Sequence, residues 1–295
     1  MTMKTILITG GDGQLGSEFV KISKIKNDFK FIFTDIQTLD ICNKSDVEIF
    51  FDENKIDFVI NCAAYTAVDK AETDTKIAEK INILGVKTLS DVSENHDSVF
   101  FHISTDYVFD GFLQGKPYVE TDVANPNSAY GRTKLEGEKS INPKSKHFII
   151  RTSWLYSFFG NNFVKTMIKY GTERKEMNVV FDQIGTPTYA GDLADAIIKM
   201  IEFQSNENFD INKYGIYHFS NEGVASWYDF AIEIMRMAKI ECKINPIETK
   251  DYPTPANRPH FSVFSKNKIK SNFGIEIPYW KDSLVKCIKY LDNNS

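Results

Sequence analysis

Short apolar segments alternate with longer amphipathic segments in the first half of the chain. Five segments without polar alternation predict β-strands, at residues 4–9, 29–34, 58–61, 99–103 and 147–151. Strands of this kind are buried on both faces, as in a parallel sheet. Helical patterns lie between them, notably at residues 14–25, 70–95 and 129–140. The alternation predicts an α/β fold with a doubly wound parallel sheet of the Rossmann type.

The rhythm changes after about residue 152, where short strands, single helices and proline-bearing loops follow one another. Pro187, Pro253 and Pro255 punctuate this part, and no repeat or low-complexity linker separates it from the first. We therefore expect a main domain over residues 1–152 and a smaller C-terminal α/β domain mainly over residues 153–295. Segments at about 188–218 are free to pack back on the main domain.

The 295 residues have the composition of a globular protein, with 42% hydrophobic and 25% charged residues. The net charge is −5 and no run of Lys or Arg stands out, so we expect no nucleic acid partner. The four cysteines form no Cys-x-x-Cys pair, which indicates reduced thiols. Without a secretion signal or an apolar run long enough for a bilayer, we expect a cytoplasmic protein that does not contact a membrane.

A glycine-rich segment, Gly-Gly-Asp-Gly-Gln-Leu-Gly at residues 10–16, lies between the first predicted strand and the first predicted helix. A dinucleotide-binding turn requires this context. Gly10 permits a tight turn, Gly13 lets the backbone approach a pyrophosphate, and Gly16 lets the helix pack on the strand. The helix N-terminus would face the phosphate charge. The main domain is therefore predicted to bind a dinucleotide, although the commoner spacing is Gly-x-Gly-x-x-Gly.

Asp35 ends the second predicted strand, about twenty residues after the last glycine, where a carboxylate binds the adenosine ribose hydroxyls. A carboxylate there repels a 2′-phosphate, and no Lys or Arg between Thr34 and Leu39 offsets it. NADH is therefore favoured as the cofactor, with NADPH as the alternative. The other interpretation of Asp35 is a carboxylate that caps its own turn.

Tyr130 and Lys134 lie four residues apart on one face of a predicted helix. The pKa of an isolated tyrosine is about 10, and a nearby ammonium lowers it by favouring the phenolate. Such a pair can move the proton that accompanies a hydride. The pattern alone is weak, because Tyr-x-x-x-Lys is frequent on ordinary helix faces. Together with the upstream glycine turn, it predicts a nicotinamide-dependent oxidoreductase.

The run His-Ile-Ser-Thr-Asp-Tyr-Val-Phe at residues 102–109 lies at the carboxyl end of a predicted strand. Ligands bind at such ends in open parallel sheets. A hydroxyl there could hydrogen-bond a substrate carbonyl and the Tyr130 oxygen, and Ser104 and Thr105 both qualify. Capping of the strand end by these hydroxyls is the alternative interpretation.

Taken together, these segments resemble the extended short-chain dehydrogenases/reductases and, within them, the dTDP-4-dehydrorhamnose reductase family. The resemblance includes residues 61–72, 104–111, 151–156, 160–163, 182–188, 215–218 and 226–228, and it ends at residues 257–259. It implies an enzyme that uses NAD(P)H to reduce the 4-keto group of dTDP-4-dehydro-L-rhamnose. The product, dTDP-L-rhamnose, is a sugar donor for cell-surface polysaccharide. The second domain would mainly hold this sugar nucleotide.

The resemblance also implies roles for individual residues. Tyr130 would donate a proton to the forming alkoxide, Lys134 would hold the nicotinamide ribose and tune Tyr130, and Thr105 would orient the ketone. The substrate would contact Thr66, Val68, Thr105, Asp106, Trp154, Asn162 and Arg258. The cofactor would contact Gly10, Gly13, Gln14, Leu15, Gly16, Asp35, Asp40, Ile41, Ala63, Ala64, Tyr65, Tyr130 and Lys134. A solvated loop arginine and a core tryptophan are the alternative interpretations of Arg258 and Trp154.

One departure from the family pattern concerns a metal. Some members form dimers around magnesium held by acidic side chains. Glu18 stands where one such residue would be, but Gly191 occupies a position where a carboxylate would be expected. We therefore expect no metal, while a homodimer remains possible.

Four other functions are alternatives to this reduction. A nucleotide-sugar 4,6-dehydratase carries Thr-Asp-Glu, and Tyr107 replaces the glutamate that water elimination needs. Another nucleotide-sugar reductase or an epimerase of the same superfamily is excluded by no residue. A non-catalytic dinucleotide-binding regulatory subunit would not need Thr105, Tyr130 and Lys134, so the presence of all three favours an enzyme.

Overall fold

The computed structural model describes residues 3–112 and 115–293. The strands are β1 (Lys4–Thr9), β2 (Phe29–Thr34), β3 (Phe58–Asn61), β4 (Val99–Thr105), β5 (His147–Thr152), β6 (Leu155–Tyr156), β7 (Glu176–Val180), β8 (Ile184–Gly185), β9 (Thr188–Tyr189), β10 (Gly215–Phe219), β11 (Ala225–Ser226) and β12 (Lys243–Ile247). The α-helices are α1 (Gln14–Ser23), α2 (Lys44–Glu53), α3 (Thr75–Glu79), α4 (Val86–Asn95), α5 (Ala129–Ser140), α6 (Phe163–Glu173), α7 (Ala190–Gln204), α8 (Trp227–Ala238), α9 (Asn267–Phe273) and α10 (Trp280–Asn293).

A six-stranded sheet forms the centre of the protein, with the order β10-β5-β4-β3-β1-β2. All of its strand pairs are parallel. Successive residues of β1 face opposite sides: Ile6 and Ile8 pack in one hydrophobic core, and Leu7 packs in another. Burial on both faces explains the unbroken apolar strands. The predicted doubly wound parallel fold is confirmed.

Strand β1 ends at the switch point of this sheet, because β2 lies on one side of it and β3 on the other. The connections that follow these strands therefore diverge above the sheet and leave a crevice at the carboxyl ends. The glycine turn follows β1, and Thr105 closes β4 at the same edge. The topology thus brings the candidate cofactor and catalytic segments to one place.

The helical pattern at residues 70–95 is broken, unlike the prediction. It comprises a 3₁₀ turn (Lys70–Glu72), α3, a π-helical segment (Lys80–Gly85) and α4. The π segment carries the buried Asn82, whose Oδ1 accepts from the Tyr65 N–H at 2.9 Å and whose Nδ2 donates to the Thr133 hydroxyl at 3.1 Å. These tertiary hydrogen bonds accompany the wider turn of the π-helical segment. The pattern of apolar positions in the sequence does not predict them.

Other boundaries shift slightly. Strands β4 and β5 extend two and one residues beyond the predicted ends, to Thr105 and Thr152, and α1 ends at Ser23 rather than at residue 25.

The later part of the chain contributes to both sides of the molecule. Strand β10 pairs with β5, and α7 packs in the core of the main sheet. A second core contains Tyr156, Phe230 and Trp280 and is surrounded by α6, α8 and α10. Small two-stranded sheets, β6-β9, β7-β12 and β8-β11, border it. Within the described ranges, the helices are too short or too polar to cross a membrane.

Candidate active site

The glycine-rich turn after β1 contains two glycines that other residues could not replace without movement of the backbone. Gly10 has a φ of +67°, and a Cβ there would lie 2.7 Å from the backbone nitrogen of Ala63. A Cβ on Gly16 would lie 2.6 Å from Cα of Gly11. Gly10 requires glycine for its positive φ and for the close approach, and Gly16 requires it for the close approach alone. The turn is therefore a cradle that a side chain would fill.

Helix α1 begins at this cradle. Its N-cap is Gly13, and no described side chain caps its first N–H groups. Such groups lack intrahelical partners and attract anions. Nδ2 of Asn162 donates to Oε1 of Gln14 at 3.0 Å, which links the turn to the loop before α6. The uncapped donors and the glycine cradle fit the pyrophosphate of a dinucleotide.

Helix α5 brings Tyr130 and Lys134 into the same cleft. Both are buried, with 9% and 2% of their surface exposed. The hydroxyl of Tyr130 shares a hydrogen bond with the side chain of Thr105. Thr105 Oγ1 in turn donates to Oδ1 of Asp106 at 3.1 Å. The proposed proton donor and the end of β4 are therefore joined.

Of the two hydroxyls at the end of β4, only that of Thr105 is a hydrogen-bond partner of Tyr130 in the described structure. Ser104 donates instead to the buried carboxylate of Glu138. The sequence did not distinguish between Ser104 and Thr105 as the partner of Tyr130, and the geometry favours Thr105.

Burial raises the pKa of Tyr130 to about 12; the hydrogen bond with Thr105 acts in the opposite direction, and the charge of Asp106 adds to the rise. Burial thus outweighs the lowering that we expected from Lys134. The phenol is therefore protonated at neutral pH, as a proton donor must be.

Lys134 lies beneath the cleft with its amine held by the backbone. Its Nζ donates to the carbonyl oxygen of Ile103 at 2.6 Å and lies 3.4 Å from Nε2 of His102. Burial lowers the pKa of Lys134 to about 8, while Glu138 and Cys62 act in the opposite direction. Burial also raises the pKa of Asp106 to about 6.

The cleft has a volume of about 560 Å³ and runs from the glycine turn to Trp154. The predicted site residues on its wall are Gly13, Gln14, Leu15, Gly16, Ala64, Thr66, Val68, Thr105, Asp106, Tyr130, Lys134, Trp154 and Asn162. Those that do not line it, as far as the structure describes the wall, are Gly10, Asp35, Asp40, Ile41, Ala63, Tyr65 and Arg258.

Trp154 is both a wall of the cleft and part of a packed aromatic pair. Its ring stacks on that of Trp227, with centroids 3.7 Å apart and planes 8° apart. Its φ is +49°, which is uncommon for a residue other than glycine and marks local strain. A Cβ on Gly185 would lie 2.7 Å from the Trp154 ring. The indole is thus clamped in place with one face covered.

Arg258 is engaged by a carboxylate. Its Nη1 and Nη2 donate to Oδ1 and Oδ2 of Asp69 at 3.1 and 2.8 Å. It lines a second cleft, of about 580 Å³, together with Tyr252, Asn257 and other residues. Its charge acts on the pKa of Tyr107, a wall residue of the first cleft, so the two clefts are neighbours.

Asp35 has the geometry of a turn cap. Its Oδ1 accepts from the N–H groups of Gln37 and Thr38 at 2.9 and 3.0 Å and from the Thr38 hydroxyl at 3.0 Å. It also lies within hydrogen-bonding range of the Asp12 carboxyl in the glycine turn. The local bonds to Thr38 and Gln37 lower the pKa of Asp35. The carboxylate is therefore ionised and next to the turn.

The remaining predicted cofactor contacts are held by hydrogen bonds or by core packing. Asp40 Oδ1 accepts from the Cys42 N–H at 2.9 Å, and the neighbouring Ile41 is buried in a core. The N–H of Ala63 donates to Asn61 Oδ1 at 3.2 Å, and the hydroxyl of Tyr65 donates to Asp74 Oδ2 at 2.9 Å.

Sequence reasoning missed several wall residues: Cys62, Ile103, Tyr107, Thr152, Ser153, Leu155, Gly160 and Asn161. Thr152 ends β5 and Ser153 follows it, at the same sheet edge as Thr105, so the rule that ligands bind at strand ends could have found them. Gly160 has a φ of +60° and approaches the side chain of Gln14, a tertiary contact without a local signal.

Glu18 is buried away from the cleft, where it accepts a hydrogen bond from the Ser157 hydroxyl at 2.7 Å. Burial raises its pKa. A Cβ on Gly191 would lie 2.8 Å from Cζ of Tyr189, so a carboxylate there would require the ring to move. The part of the chain that the structure describes contains no group of three or more potential metal ligands.

The sheet order, the glycine cradle and the buried Tyr130–Lys134 pair define a Rossmann-type protein. The family model described as RmlD substrate binding domain matches residues 3–293, and the chain belongs to this family. A relative from Aggregatibacter actinomycetemcomitans, named dTDP-4-dehydrorhamnose reductase, is 42% identical over 300 residues. The match covers 98% of this chain and 100% of the relative. The resemblance noted from the sequence is confirmed.

Two solved structures agree with this assignment. A dTDP-4-dehydrorhamnose reductase from Clostridium acetobutylicum has a TM-score of 0.91 and 46% identity, covering 98% of this chain and 99% of that chain. The Bacillus anthracis enzyme of the same name, in complex with NADP, has a TM-score of 0.90 and 37% identity, covering 98% and 100%.

Proposed function

We propose that this protein uses NAD(P)H to reduce dTDP-4-dehydro-L-rhamnose at its 4-keto group, giving dTDP-L-rhamnose for cell-surface polysaccharide. One observation carries the proposal: the protonated Tyr130 hydroxyl is bonded to Thr105, close to Lys134, in the cleft that the glycine turn opens into. The names of full-length relatives support the same reaction.

The bound cofactor would supply the hydride that reaches the carbonyl carbon. The residues of the chain bind the reactants, orient them and transfer the proton. Tyr130 gives its proton to the carbonyl oxygen, and Thr105 holds that oxygen beside the phenol. Lys134 binds the ribose next to the nicotinamide, and as an ammonium it favours the phenolate that Tyr130 leaves behind. The low exposure of both side chains excludes water from this transfer.

The substrate would occupy the other end of the cleft. Thr66, Val68, Asp106 and Asn162 lie on its wall, and Trp154 offers a clamped ring for the sugar or the thymine. Arg258 would bind the diphosphate by exchanging its bidentate bond to Asp69 for one to phosphate oxygens. We assign residues 1–152 mainly to the dinucleotide and residues 153–295 mainly to the sugar nucleotide.

The Arg258 assignment predicts a selective loss of substrate affinity. In Arg258→Ala, KM for the dTDP-sugar should rise about 10- to 100-fold with kcat nearly unchanged, because a charge-assisted pair worth about 1.5–3 kcal/mol is lost. Arg236→Ala is the matched control, since Arg236 also makes a two-pronged bond to a carboxylate but lies on α8 outside the cleft. Steady-state kinetics would measure both; equal KM values in the two variants would remove Arg258 from the site.

The two carboxylates at the turn support a preference for NADH. Asp12 and Asp35 lie together where the adenosine ribose would bind, and their charge disfavours a 2′-phosphate. NADPH remains the alternative, since a relative was solved with NADP.

Asp35→Ala should lower the ratio of kcat/KM for NADH to that for NADPH by about tenfold, the equivalent of about 1.4 kcal/mol. The reason is that one of the two repelling charges is removed and a ribose partner is lost. Asp28→Ala, in the loop before β2, is the control for surface charge. An unchanged ratio in Asp35→Ala would leave the carboxylate with only its turn-capping role.

A panel of 4-keto sugar nucleotides tests the function itself. Loss of reduced-nicotinamide absorbance with dTDP-4-dehydro-L-rhamnose, and a product that is dTDP-L-rhamnose, is the expected outcome. Turnover only with another sugar nucleotide would assign a different reductase or an epimerase. Cofactor binding without turnover on any member would favour the regulatory subunit. We expect the protein in the cytoplasm with NAD(P)H and nucleotide sugars, and a homodimer remains possible.

A further inference from the structure

A row of buried polar side chains crosses the central sheet beneath the cleft. Thr9 of β1, Asn61 of β3 and His102 of β4 are register partners on adjacent strands. Each is at most 1% exposed. The row ends at Lys134, whose Nζ lies 3.4 Å from Nε2 of His102. These groups are buried from the solvent, so each depends on hydrogen-bond partners within the protein.

The orientation of the Asn61 amide follows from its neighbours. Its Oδ1 accepts from the Thr9 hydroxyl at 2.8 Å and from the Ala63 N–H at 3.2 Å. A backbone N–H can only donate, so the atom facing Ala63 must be the amide oxygen. The amide nitrogen therefore faces Nδ1 of His102, at 3.3 Å. Because this nitrogen can only donate, Nδ1 of His102 accepts and carries no proton.

The proton of the neutral His102 ring is therefore on Nε2, the atom next to Lys134. Burial, together with the charge of Lys134, lowers the pKa of His102 well below its usual value, so the ring stays neutral. An N–H next to an amine is favourable when the amine is uncharged and offers its lone pair. It is unfavourable when the amine is an ammonium.

We propose, on the basis of the reductase function above, that His102 is a positioning residue for Lys134. Asn61 fixes its tautomer, and its Nε2–H holds the Lys134 amine against the carbonyl of Ile103 while favouring the uncharged amine. Two groups act in the opposite direction, because Glu138 on the same helix and Cys62 after β3 both favour the ammonium. His102 thus helps to set the pH at which Lys134 loses its proton.

The sign of the pH effect follows directly. Lys134 is an ammonium below its pKa and an amine above it, so a reaction that uses the ammonium declines as pH rises through that value. Burial already lowers the pKa of Lys134 to about 8. Removing the opposing N–H of His102 should raise the pKa of Lys134 and move the alkaline decline of kcat/KM to higher pH.

The first test uses the wild-type protein without substrate. In ¹⁵N-histidine-labelled protein, long-range ¹H–¹⁵N spectra should show His102 with a protonated Nε2 and an unprotonated Nδ1 from about pH 6 to pH 9. His102→Asn identifies the signal by its disappearance. A protonated Nδ1 would overturn the proposal without bearing on the reductase function.

The second test compares two substitutions. His102→Asn keeps an acceptor next to Asn61 but leaves no group beside Lys134, whereas His102→Gln can turn its amide oxygen towards the Lys134 ammonium. NMR titration of the Lys134 amine, identified with Lys134→Met, should show its midpoint raised by about half a unit or more in His102→Asn and by at least as much in His102→Gln. The alkaline limb of kcat/KM should move with it.

His147→Asn is the control, because His147 is a buried histidine at the start of the neighbouring β5 whose ring bonds to Ser145. It should leave the Lys134 titration unchanged. If both His102 variants leave the Lys134 midpoint where it is in the wild type, His102 is only a packing residue and the proposal fails. Loss of kcat without a shift of the midpoint would lead to the same conclusion.

Discussion

Tyr130→Phe should lower kcat about 10²- to 10⁴-fold, the range over which a positioned general acid contributes to catalysis. The ring remains to fill the buried space, so the substitution removes the proton donor and its bond to Thr105 with little change in packing. Affinity for the cofactor should change little. Steady-state kinetics and a cofactor titration by fluorescence would measure the two quantities separately.

Tyr217→Phe is the matched control for this experiment. Its ring is buried in the core of the main sheet, and its hydroxyl donates to the Lys213 carbonyl at 2.6 Å, outside the cleft. The hydroxyl also accepts from Nδ2 of Asn272 at 2.9 Å, so the variant loses two phenolic hydrogen bonds without a catalytic role and should keep kcat within about twofold of the wild type. A Tyr130→Phe protein that folds and retains wild-type kcat would show that another group is the acid.

Glu138→Ala should lower the free energy of unfolding by about 3–5 kcal/mol, the cost of leaving a buried charge without its partner. Oε2 of Glu138 accepts from Nη2 of Arg151 at 2.7 Å, and the side chains are only 3% and 4% exposed. Nη1 of Arg151 already lacks a hydrogen-bond partner among the described residues. Without the carboxylate, the guanidinium and the Ser104 hydroxyl would both be unsatisfied.

The same helix provides the control. Glu136 pairs with Lys139 at 2.8 Å, but both side chains are more than half exposed. Glu136→Ala should therefore change the free energy of unfolding by less than about 0.5 kcal/mol. Urea unfolding of the two variants would compare a buried and an exposed pair on one helix. A loss in Glu138→Ala no larger than that in Glu136→Ala would mean that Arg151 finds another partner or water.

Five of the six strands of the central sheet could be predicted from the sequence, because their segments are mainly apolar without polar alternation, as burial on both faces favours. Strand β10 was not among the predicted strands. The parallel pairing follows from the same feature, since connections between such strands must return over the sheet. The broken helix before α4 could not be predicted. The π-helical segment of this region is accompanied by hydrogen bonds between Asn82 and both Tyr65 and Thr133, which are distant from Asn82 in sequence.

The candidate site likewise has some features that the sequence predicts and others that it does not. Tyr130 and Lys134 are one helical turn apart, so the sequence alone places them on one face. The choice between Ser104 and Thr105 required the position of Glu138 on another element. The bond between Arg258 and Asp69 joins residues far apart in the chain, and the sequence contains no local signal for it.

Burial is the effect that sequence reasoning underestimated most. From the Tyr130–Lys134 spacing we expected a lowered tyrosine pKa, whereas burial raises the pKa of Tyr130 to about 12. Tyr130 packs with Tyr65 and Val68 from the loop after β3 and with Tyr107 from the segment after β4, and neither local propensity nor spacing encodes these contacts. The proton-donor role is consistent with either pKa as long as the phenol is protonated before hydride arrives.

The most direct test of the account is the fate of the transferred hydrogen. With NADH carrying deuterium at both C4 positions of its nicotinamide and dTDP-4-dehydro-L-rhamnose as substrate, we expect dTDP-L-rhamnose with deuterium on C4 of the sugar, formed by the wild type and nearly abolished in Tyr130→Phe. A sugar product without deuterium at C4, or equal transfer by both proteins, would contradict it.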